Sequence, residues 1–342
     1  MTLSCQRLAA FCCACLLAVG AGTVTADTLT TVSMRRAIQS PVDGARQYPA
    51  VITAVAIHPQ GQFVAAAGDD HVIRIWTMED GVLAFRLEGH TDWIRALAFS
   101  PDGKSLVSSG NDRRVLLWDM ETGKLARPLA HHDHAVGVVA FSHRGTWVAT
   151  AGFEGQLCLL ELTPGAEEQD IETGCADIRA LAISQDDRYI AVGGRDGSVR
   201  VIDFAQRRVM KTSHAHRLRI RGIEFAQNDQ QILTGSEDRT VRIWNWQTDE
   251  QVTTLPPQSS KILSMVSCGP QLVATAGSDN LIHLWDLTAR RDLGQLPGHT
   301  GSVSALAYRD GVLVSGGFDT FVRIWQIPAQ LEEEVRSAQR VK

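Results

Sequence analysis

Residues 108–119 read SSGNDRRVLLWD, three small residues, a tight polar turn and an apolar run that ends in Trp-Asp. The same arrangement occurs elsewhere in the chain with other small and apolar residues in the same places. The copies are AAGDDHVIRIWT (66–77), TGSEDRTVRIWN (234–245), TAGSDNLIHLWD (275–286) and SGGFDTFVRIWQ (315–326). Self-similarity at a fixed period indicates a repeat architecture.

The acidic residue in the turn sets the period of the repeat. It recurs every 40–42 residues, at Asp70, Asp112, Glu154, Asp196, Asp238, Asp279 and Asp319. Six residues after each acid comes a large apolar side chain, at Trp76, Trp118, Leu160, Ile202, Trp244, Trp285 and Trp325. Seven units therefore fill the chain from about residue 50 to residue 327.

Each unit contains four short apolar bursts separated by turn residues. In the second unit the bursts are ALAFS, SLVSSG, RVLLWD and KLARPL, parted by PDGK, GND and ETG. Such bursts predict short antiparallel strands joined by tight turns. One four-stranded sheet cannot bury both of its faces, whereas seven sheets arranged around an axis cover one another. The predicted fold class is all-β, a single seven-bladed β-propeller of four-stranded antiparallel blades.

The seventh unit lacks a fourth strand of its own. After FVRIWQIP (321–328) there is only a charged tail, residues 329–342. The segment before the first unit is long enough to supply a strand. We therefore predict that part of residues 28–46 forms the outer strand of the seventh blade and closes the ring, within a propeller domain of residues 27–328.

The stretch GHTDWIRALAFSPDGKSLVSSGNDRRVLLWD (89–119) resembles the WD-repeat β-propeller family, and the likeness covers nearly all of the chain after residue 26. The resemblance implies a hydrogen-bonded chain inside a blade, made by a His before the innermost strand, a Ser or Thr, the turn Asp and the Trp. Such a chain would give a buried carboxylate its donors. The complete sets are His90, Ser108, Asp112, Trp118; His216, Thr234, Asp238, Trp244; and His299, Ser315, Asp319, Trp325.

Four units depart from this pattern. The sixth keeps Thr275, Asp279 and Trp285 but has Pro257 in place of the His. The third has His132 and Thr150 with Glu154 and Leu160, and the first and fourth have Tyr48 and Gly174 at the His position. These departures put the network in doubt in four blades but leave the predicted fold unchanged.

Two motifs invite a chemical interpretation. A His, Ser and Asp in one set suggest a nucleophilic triad, but three copies at structural positions favour scaffolding, because an enzyme needs one exposed nucleophile. The run AHHDHAV contains His131, His132, Asp133 and His134. Consecutive residues of an extended turn point in different directions, so we predict no metal site there. No haem, phosphate-loop or dinucleotide motif is present, and we expect no catalytic residue and no cofactor.

In WD-repeat propellers the rim of the central channel is commonly the docking surface. The resemblance implies that it is built from the residues three and five after the His position and the residue before the turn acid. These positions hold Asp69, Trp93, Arg95, Asn111, Phe153, Asp177, Arg179, Arg195, Arg219, Arg221, Glu237 and Phe318. Exposed aromatics beside arginines are typical of interaction hot spots. The arginines favour an acidic protein segment as partner. Alternatively, some of these residues pair with each other across blades.

Residues 1–26 are interpreted as a secretory signal. Arg7 is followed by an uncharged apolar run, and Val24 and Ala26 stand at the small-residue positions of a signal-peptidase site. The alternative is an uncleaved membrane anchor, because the uncharged stretch 8–26 is 19 residues long, close to the roughly 20 of a spanning helix. We predict no membrane span after removal of the signal.

Charge and cysteine content bear on the possible partners of the protein and on its compartment. Loss of residues 1–26 leaves 32 basic against 38 acidic residues, which argues against general nucleic-acid or anionic-membrane binding. The remaining Cys158, Cys175 and Cys268 lack metal-type spacing and are expected to be buried apolar residues, although export would permit one disulfide. No asparagine begins an N-x-[ST] sequon, so the predicted location is a bacterial periplasm.

The expected function is that of an exported, non-catalytic scaffold that docks one or more proteins on its channel rim, as a monomeric propeller within a larger complex. One alternative is a periplasmic propeller enzyme, a hydrolase or an oxidoreductase with a site in the channel mouth. Another is a cytosolic scaffold whose N-terminus is misinterpreted. The fold alone does not decide between them.

Overall fold

Seven four-stranded sheets make up the computed structural model, which describes residues 32–42, 47–163, 165, 168–226, 228–331 and 335. The first three contain β2 (Ile52–Ile57), β3 (Phe63–Gly68), β4 (Val72–Thr77), β5 (Leu83–Glu88); β6 (Ile94–Phe99), β7 (Ser105–Gly110), β8 (Arg114–Asp119), β9 (Lys124–His131); and β10 (Val136–Phe141), β11 (Trp147–Gly152), β12 (Gln156–Glu161), β13 (Gln169–Glu172). The next three contain β14 (Ala180–Ile183), β15 (Tyr189–Gly193), β16 (Ser198–Asp203), β17 (Arg208–His214); β18 (Ile220–Ala226), β19 (Gln231–Ser236), β20 (Val241–Asn245), β21 (Glu250–Thr254); and β22 (Ile262–Ser267), β23 (Leu272–Gly277), β24 (Ile282–Asp286), β25 (Arg291–Leu296). The seventh contains β26 (Val303–Arg309), β27 (Val312–Gly317), β28 (Phe321–Gln326) and β1 (Ser33–Gln39).

The sheets close into a ring, which confirms the predicted seven-bladed propeller. Each innermost strand contacts the innermost strand of the next blade, and β26 contacts β2. All strand pairs within the blades are antiparallel. Among the described residues, helix occurs only at 329–331 and 335.

The N-terminal strand closes the seventh blade, as the missing fourth strand predicted. β1 pairs with β28 in a register that places Ser33 opposite Gln326 and Gln39 opposite Phe321. The guanidinium of Arg36 donates to the Glu79 carbonyl at 3.0 Å and so also ties β1 to the first blade. The described strands run from Ser33 to Gln326.

The apolar core lies between neighbouring blades. One cluster joins Ile73 and Leu87 of the first blade to Ile94, Leu106 and Trp118 of the second, each at most 1% exposed. A similar cluster joins the seventh blade to the first. Burying one large aliphatic side chain contributes ~1.5–3 kcal/mol. The blades therefore stabilise one another, as expected for sheets that cannot cover both faces alone.

A β-bulge interrupts the innermost strand of six blades. The register between the first two strands skips one residue each time, at Thr53, Arg95, Gly137, Arg221, Leu263 and Ser304. The fourth blade reaches the same place with Arg179, directly before β14. Because a bulge re-aims the side chain of the extra residue, these seven positions form one ring around the channel, which we call the bulge ring. All seven line the central cavity of ≈ 680 Å³.

Candidate functional site

The second and seventh blades contain complete polar quartets. Nδ1 of His90 lies 2.8 Å from Asp112 Oδ2, and its Nε2 lies 2.7 Å from Ser108 Oγ. The indole N–H of Trp118 donates to the same Oγ at 2.8 Å. The seventh blade repeats these three contacts at 2.9, 2.8 and 3.0 Å, with His299, Ser315, Asp319 and Trp325.

The hydroxyls in these quartets are inaccessible to a substrate. Ser108, Thr234 and Ser315 have no exposed surface. In the second and seventh blades each hydroxyl lies between an indole N–H and an imidazole nitrogen, so its bonding capacity is already used. A nucleophile must reach its substrate, and the arrangement therefore holds the blade together and offers no attack geometry.

The turn aspartates of the second, fifth and seventh blades have lowered pKa values and are held ionised. Burial by itself would raise the pKa of Asp319, but the hydrogen bond and charge of His299, with Thr300 N–H and Arg323, outweigh it and lower the pKa to about 2. The pKa values of Asp112 and Asp238 are lowered in the same way against their burial, with His90 and His216 as the main partners. A carboxylate that accepts several donors favours its charged form.

The fifth blade does not complete its quartet, so the predicted role of Trp244 is wrong. His216 reaches Asp238 at 3.0 Å and Thr234 Oγ1 at 2.7 Å, but the buried indole N–H of Trp244 has no partner among the described residues. The more buried indole of this blade is Trp246, which donates to a backbone carbonyl at 2.7 Å.

In the sixth blade Gln258, and not Pro257, takes the position of the His. Thr275 Oγ1 donates to Gln258 Oε1 at 2.7 Å and accepts from the Trp285 indole at 2.8 Å. The link between β22 and β23 is one residue shorter than that between β6 and β7. Counting back from the turn acid at a constant distance therefore missed Gln258 by one position.

The three blades without a turn His supply a cation to the turn acid from the strand that follows it. Arg74 lies 2.6 Å from Asp70, and Arg200 lies 2.8 Å from Asp196. His283 contacts its acid, Asp279, at 2.9 Å. Each cation stands four residues after the acid and compensates for the missing turn His. The spacing is visible in the sequence, and the seventh blade uses it beside its turn His, since Arg323 lies 2.7 Å from Asp319.

Three of the predicted rim arginines are bulge-ring residues. Arg95, Arg179 and Arg221 occupy the ring in the second, fourth and fifth blades, and Gly137 occupies it in the third. The opposite side of the ring carries two small hydroxyl residues and Leu263. Thr53 and Ser304 donate to backbone carbonyls of the neighbouring blade. The channel mouth is therefore cationic on one side only.

An ion-pair chain links the rim residues of the fourth and fifth blades. Asp177 contacts Arg179 Nε at 2.5 Å and Arg219 Nη2 at 2.6 Å. Glu237 lies 3.2 Å from Arg219 Nη1 and 2.8 Å from Arg221 Nη2. The alternative that rim residues pair across blades is thus realised here. These partly exposed pairs order the rim more than they stabilise the fold.

Aromatic rings accompany the rim arginines. The Arg95 guanidinium lies 5.0 Å from the centre of the Trp93 ring, and that of Arg179 lies 3.9 Å from the Phe153 ring. Phe153 and Phe318 are 41% and 46% exposed, an unusual state for large apolar side chains.

The remaining predicted rim residues have different surroundings. Asn111 Oδ1 accepts from Arg95 Nε at 2.8 Å. Asp69 Oδ1 accepts from the Val51 N–H at 2.9 Å. Arg195 is an exposed side chain of the same face. Only Asn111 of these three contacts a ring arginine.

The histidine run does not converge. His132 is buried and its Nε2 lies 3.1 Å from Thr150 Oγ1, whereas His134 contacts Glu154 at the surface. Burial lowers the pKa of His132. In the part of the chain that the structure describes, no three His, Cys, Asp or Glu side chains are grouped to hold a metal ion. Cys158, Cys175 and Cys268 are buried thiols without a disulfide.

Comparison with known proteins agrees with the blade geometry. A family model described as IFT122 first beta-propeller matches residues 51–326. The chain belongs to the WD-repeat β-propeller family. Similar proteins include "Mitochondrial division protein 1" of Pyricularia oryzae (42% identical over 55 residues, 16% of this chain and 8% of the relative) and "Cell division control protein 4" of Saccharomyces cerevisiae (36% over 87 residues, 24% and 11%).

A plant relative, "U3 snoRNP-associated protein-like EMB2271" of Arabidopsis thaliana, is 40% identical over 62 residues, 18% of this chain and 13% of the relative. The matched segments thus span about a tenth of the length of these WD-repeat relatives. They share repeats with this chain, and the likeness carries no activity of the whole proteins.

The predicted bacterial periplasmic location is wrong. The similar WD-repeat proteins come from fungi and a plant. The prediction depended on the apolar composition of residues 1–26, which says nothing about the relatives of the propeller. That segment, with its signal and anchor interpretations, lies outside the described residues. Among the described residues, no helix has the length and apolar character needed to cross a membrane.

Proposed function

We propose that this propeller is a non-catalytic docking module that binds an acidic segment of another protein on the bulge-ring side of its channel. WD-repeat propellers typically mediate protein interactions. The single observation that carries the proposal is the one-sided ring, in which three arginines face a common cavity beside the exposed Phe153 ring and the half-buried Trp93 ring.

The chemistry of the partner follows from the charges on the cationic side. Among the described residues, Arg179, Arg219, Arg221 and Lys261 share two carboxylates, those of Asp177 and Glu237, and Arg95 forms no ion pair. This surplus of positive charge attracts an acidic chain and speeds its encounter. The exposed rings supply apolar anchors of the kind that dominate interface energetics.

A rigid ring is better suited to docking a partner than to catalysis. The blades pack on one another through shared apolar clusters, and buried quartets brace them internally, so the face is preorganised and little conformational entropy is lost on binding. We propose that the chain acts as one propeller within a larger complex.

Site-directed photocrosslinking tests the proposal. A photoreactive phenylalanine analogue at Phe318 should crosslink a partner in source cells, and the attached peptide should be rich in Asp and Glu. The double variant Trp93→Ala, Arg219→Ala should lose this product while keeping its melting temperature.

The same analogue at Met210, an exposed residue of the outer strand β17, is the matched control. Products formed at Met210 and not at Phe318, or products unchanged by the double variant, would show that the channel rim is not the docking face.

A further inference from the structure

The cationic side of the bulge ring has a gap. Ring arginines occupy the second, fourth and fifth blades, whereas Gly137 stands in the third, between Arg95 and Arg179. Gly137 does not have the positive φ that only glycine adopts readily. Its backbone therefore does not require glycine, and the missing side chain opens space at the channel mouth.

Arg179 lies across this gap. A Cβ built on Gly137 would stand 3.3 Å from the Ile178 carbonyl oxygen, 3.5 Å from Arg179 Nη1 and 3.6 Å from Arg179 Cδ. The Phe153 ring supports the guanidinium at 3.9 Å, and Asp177 holds Nε at 2.5 Å. Two fixed contacts thus orient the guanidinium, and no hydrogen bond from its Nη atoms occurs among the described residues.

Arg95 approaches the gap from the other side without a counter-ion. Its Nε donates to the neutral amide of Asn111 at 2.8 Å, and the Trp93 ring packs against it. Within the described part of the chain, no carboxylate lies within 4.0 Å of its guanidinium nitrogens. Burial, and then the charges of Arg179 and Arg221, lower the pKa of Arg95, and the charge of Asp92 offsets them only in part. Two cations that repel each other therefore flank the gap, and among the described residues only Asp177, on Nε of Arg179, forms an ion pair with either of them.

We propose that this gap over Gly137 is a seat for one carboxylate side chain of the acidic partner, held between the guanidinium groups of Arg95 and Arg179. The proposal rests on the docking function above and specifies its anchor. A carboxylate has two coplanar oxygens, which match the paired donors of a guanidinium. Its binding replaces repulsion between two cations by two charge-assisted contacts, so the seat selects for a single acidic residue.

Binding of an octaglutamate peptide, measured by calorimetry at low ionic strength, tests the seat. Arg95→Gln and Arg179→Gln should each weaken binding about tenfold, the effect of losing one charge-assisted hydrogen bond. The double variant should weaken it by much less than the hundredfold product, because both arginines contact one group. Gly137→Val should weaken binding to a similar extent while every charge is retained.

Arg208→Gln is the matched control, since it removes an exposed arginine of the outer strand β17, away from the channel rim, and it should change affinity less than about twofold. An octaglutamine peptide should not bind. Melting curves of all variants identify any that fail to fold. If an arginine variant fails to fold, Gly137→Val tests the seat without removing a charge.

The possible failures separate the two proposals. Octaglutamate binding that is unaffected by Arg95→Gln, Arg179→Gln and Gly137→Val overturns the seat and leaves acidic docking intact. Equal binding of octaglutamine, or no binding of octaglutamate to the wild type, overturns both the seat and the acidic partner. Crosslinking at Phe318 would still report a docking face in that case.

Discussion

Removing one hydroxyl oxygen compares the stability contributed by the complete quartet of the second blade with that of the incomplete quartet of the fifth blade. Ser108 links two groups, because it accepts from the Trp118 indole at 2.8 Å and contacts His90 Nε2 at 2.7 Å. Ser108→Ala leaves both buried groups without a partner, and each unsatisfied group costs about 1–3 kcal/mol. We expect the free energy of unfolding to fall by about 2–6 kcal/mol, the sum for two such groups.

Thr234→Val is the matched change in the fifth blade. It deprives His216 Nε2 of its partner and removes a 3.3 Å bond to the Arg242 carbonyl, which the β19–β20 ladder still satisfies, whereas the Trp244 indole N–H is already unpaired. The expected loss is about 1–3 kcal/mol, the cost of one group. Trp244→Phe should cost less than Trp118→Phe for the same reason, since it removes no hydrogen bond.

Urea unfolding followed by circular dichroism measures these losses, provided the slope of the transition is the same in all variants. Equal destabilisation by Ser108→Ala and Thr234→Val would refute the reasoning. So would a larger effect of Trp244→Phe than of Trp118→Phe, because either result would mean that the indole link contributes nothing to the blade.

Three further predictions concern the closing strand β1, the pH dependence of His283 and the reactivity of Cys175. Deletion of residues 27–46 removes β1 and exposes β28. It should lower the melting temperature by about 10 °C, since each kcal/mol of lost stability lowers that temperature by roughly 2–4 °C. An unchanged melting temperature would contradict the role of β1 in closing the ring. Burial acts to lower the pKa of His283, but Asp292 and Asp279 outweigh it and raise the pKa above 6.5. The stabilisation by His283 is therefore fully present below pH 6.5 and is lost as the pH rises through the higher pKa of the folded state. The free energy of unfolding of the wild type should exceed that of His283→Gln by less and less as the pH rises from 5.5 to 8.5. A difference that grows over this range would contradict the argument. Burial raises the pKa of Cys175 to about 11, so iodoacetamide at pH 8 should label this thiol only after denaturation.

The repeat spacing predicted the blade number, the strand order and the closing strand, because each blade needs the same turn and the same buried faces. The position of the His substitute in the sixth blade was not predictable by counting, since one shorter hairpin moved it to Gln258. The side chains that enter the channel depend on bulges, which a single sequence does not show. The Asp177 ion-pair chain joins residues some 40–60 positions apart, so only the closed ring reveals it.

The pairing of β1 with β28 also determines how the ring responds to mechanical tension. Ser33 and Gln326 lie opposite each other at one end of the ladder, and the chain leaves both strands at that end. A pull through the two flanking segments loads these hydrogen bonds singly, in the manner of a zipper, and not together as in shear. The seventh blade is therefore the place where the ring yields under force, and tethering the molecule through both flanks would open it there first.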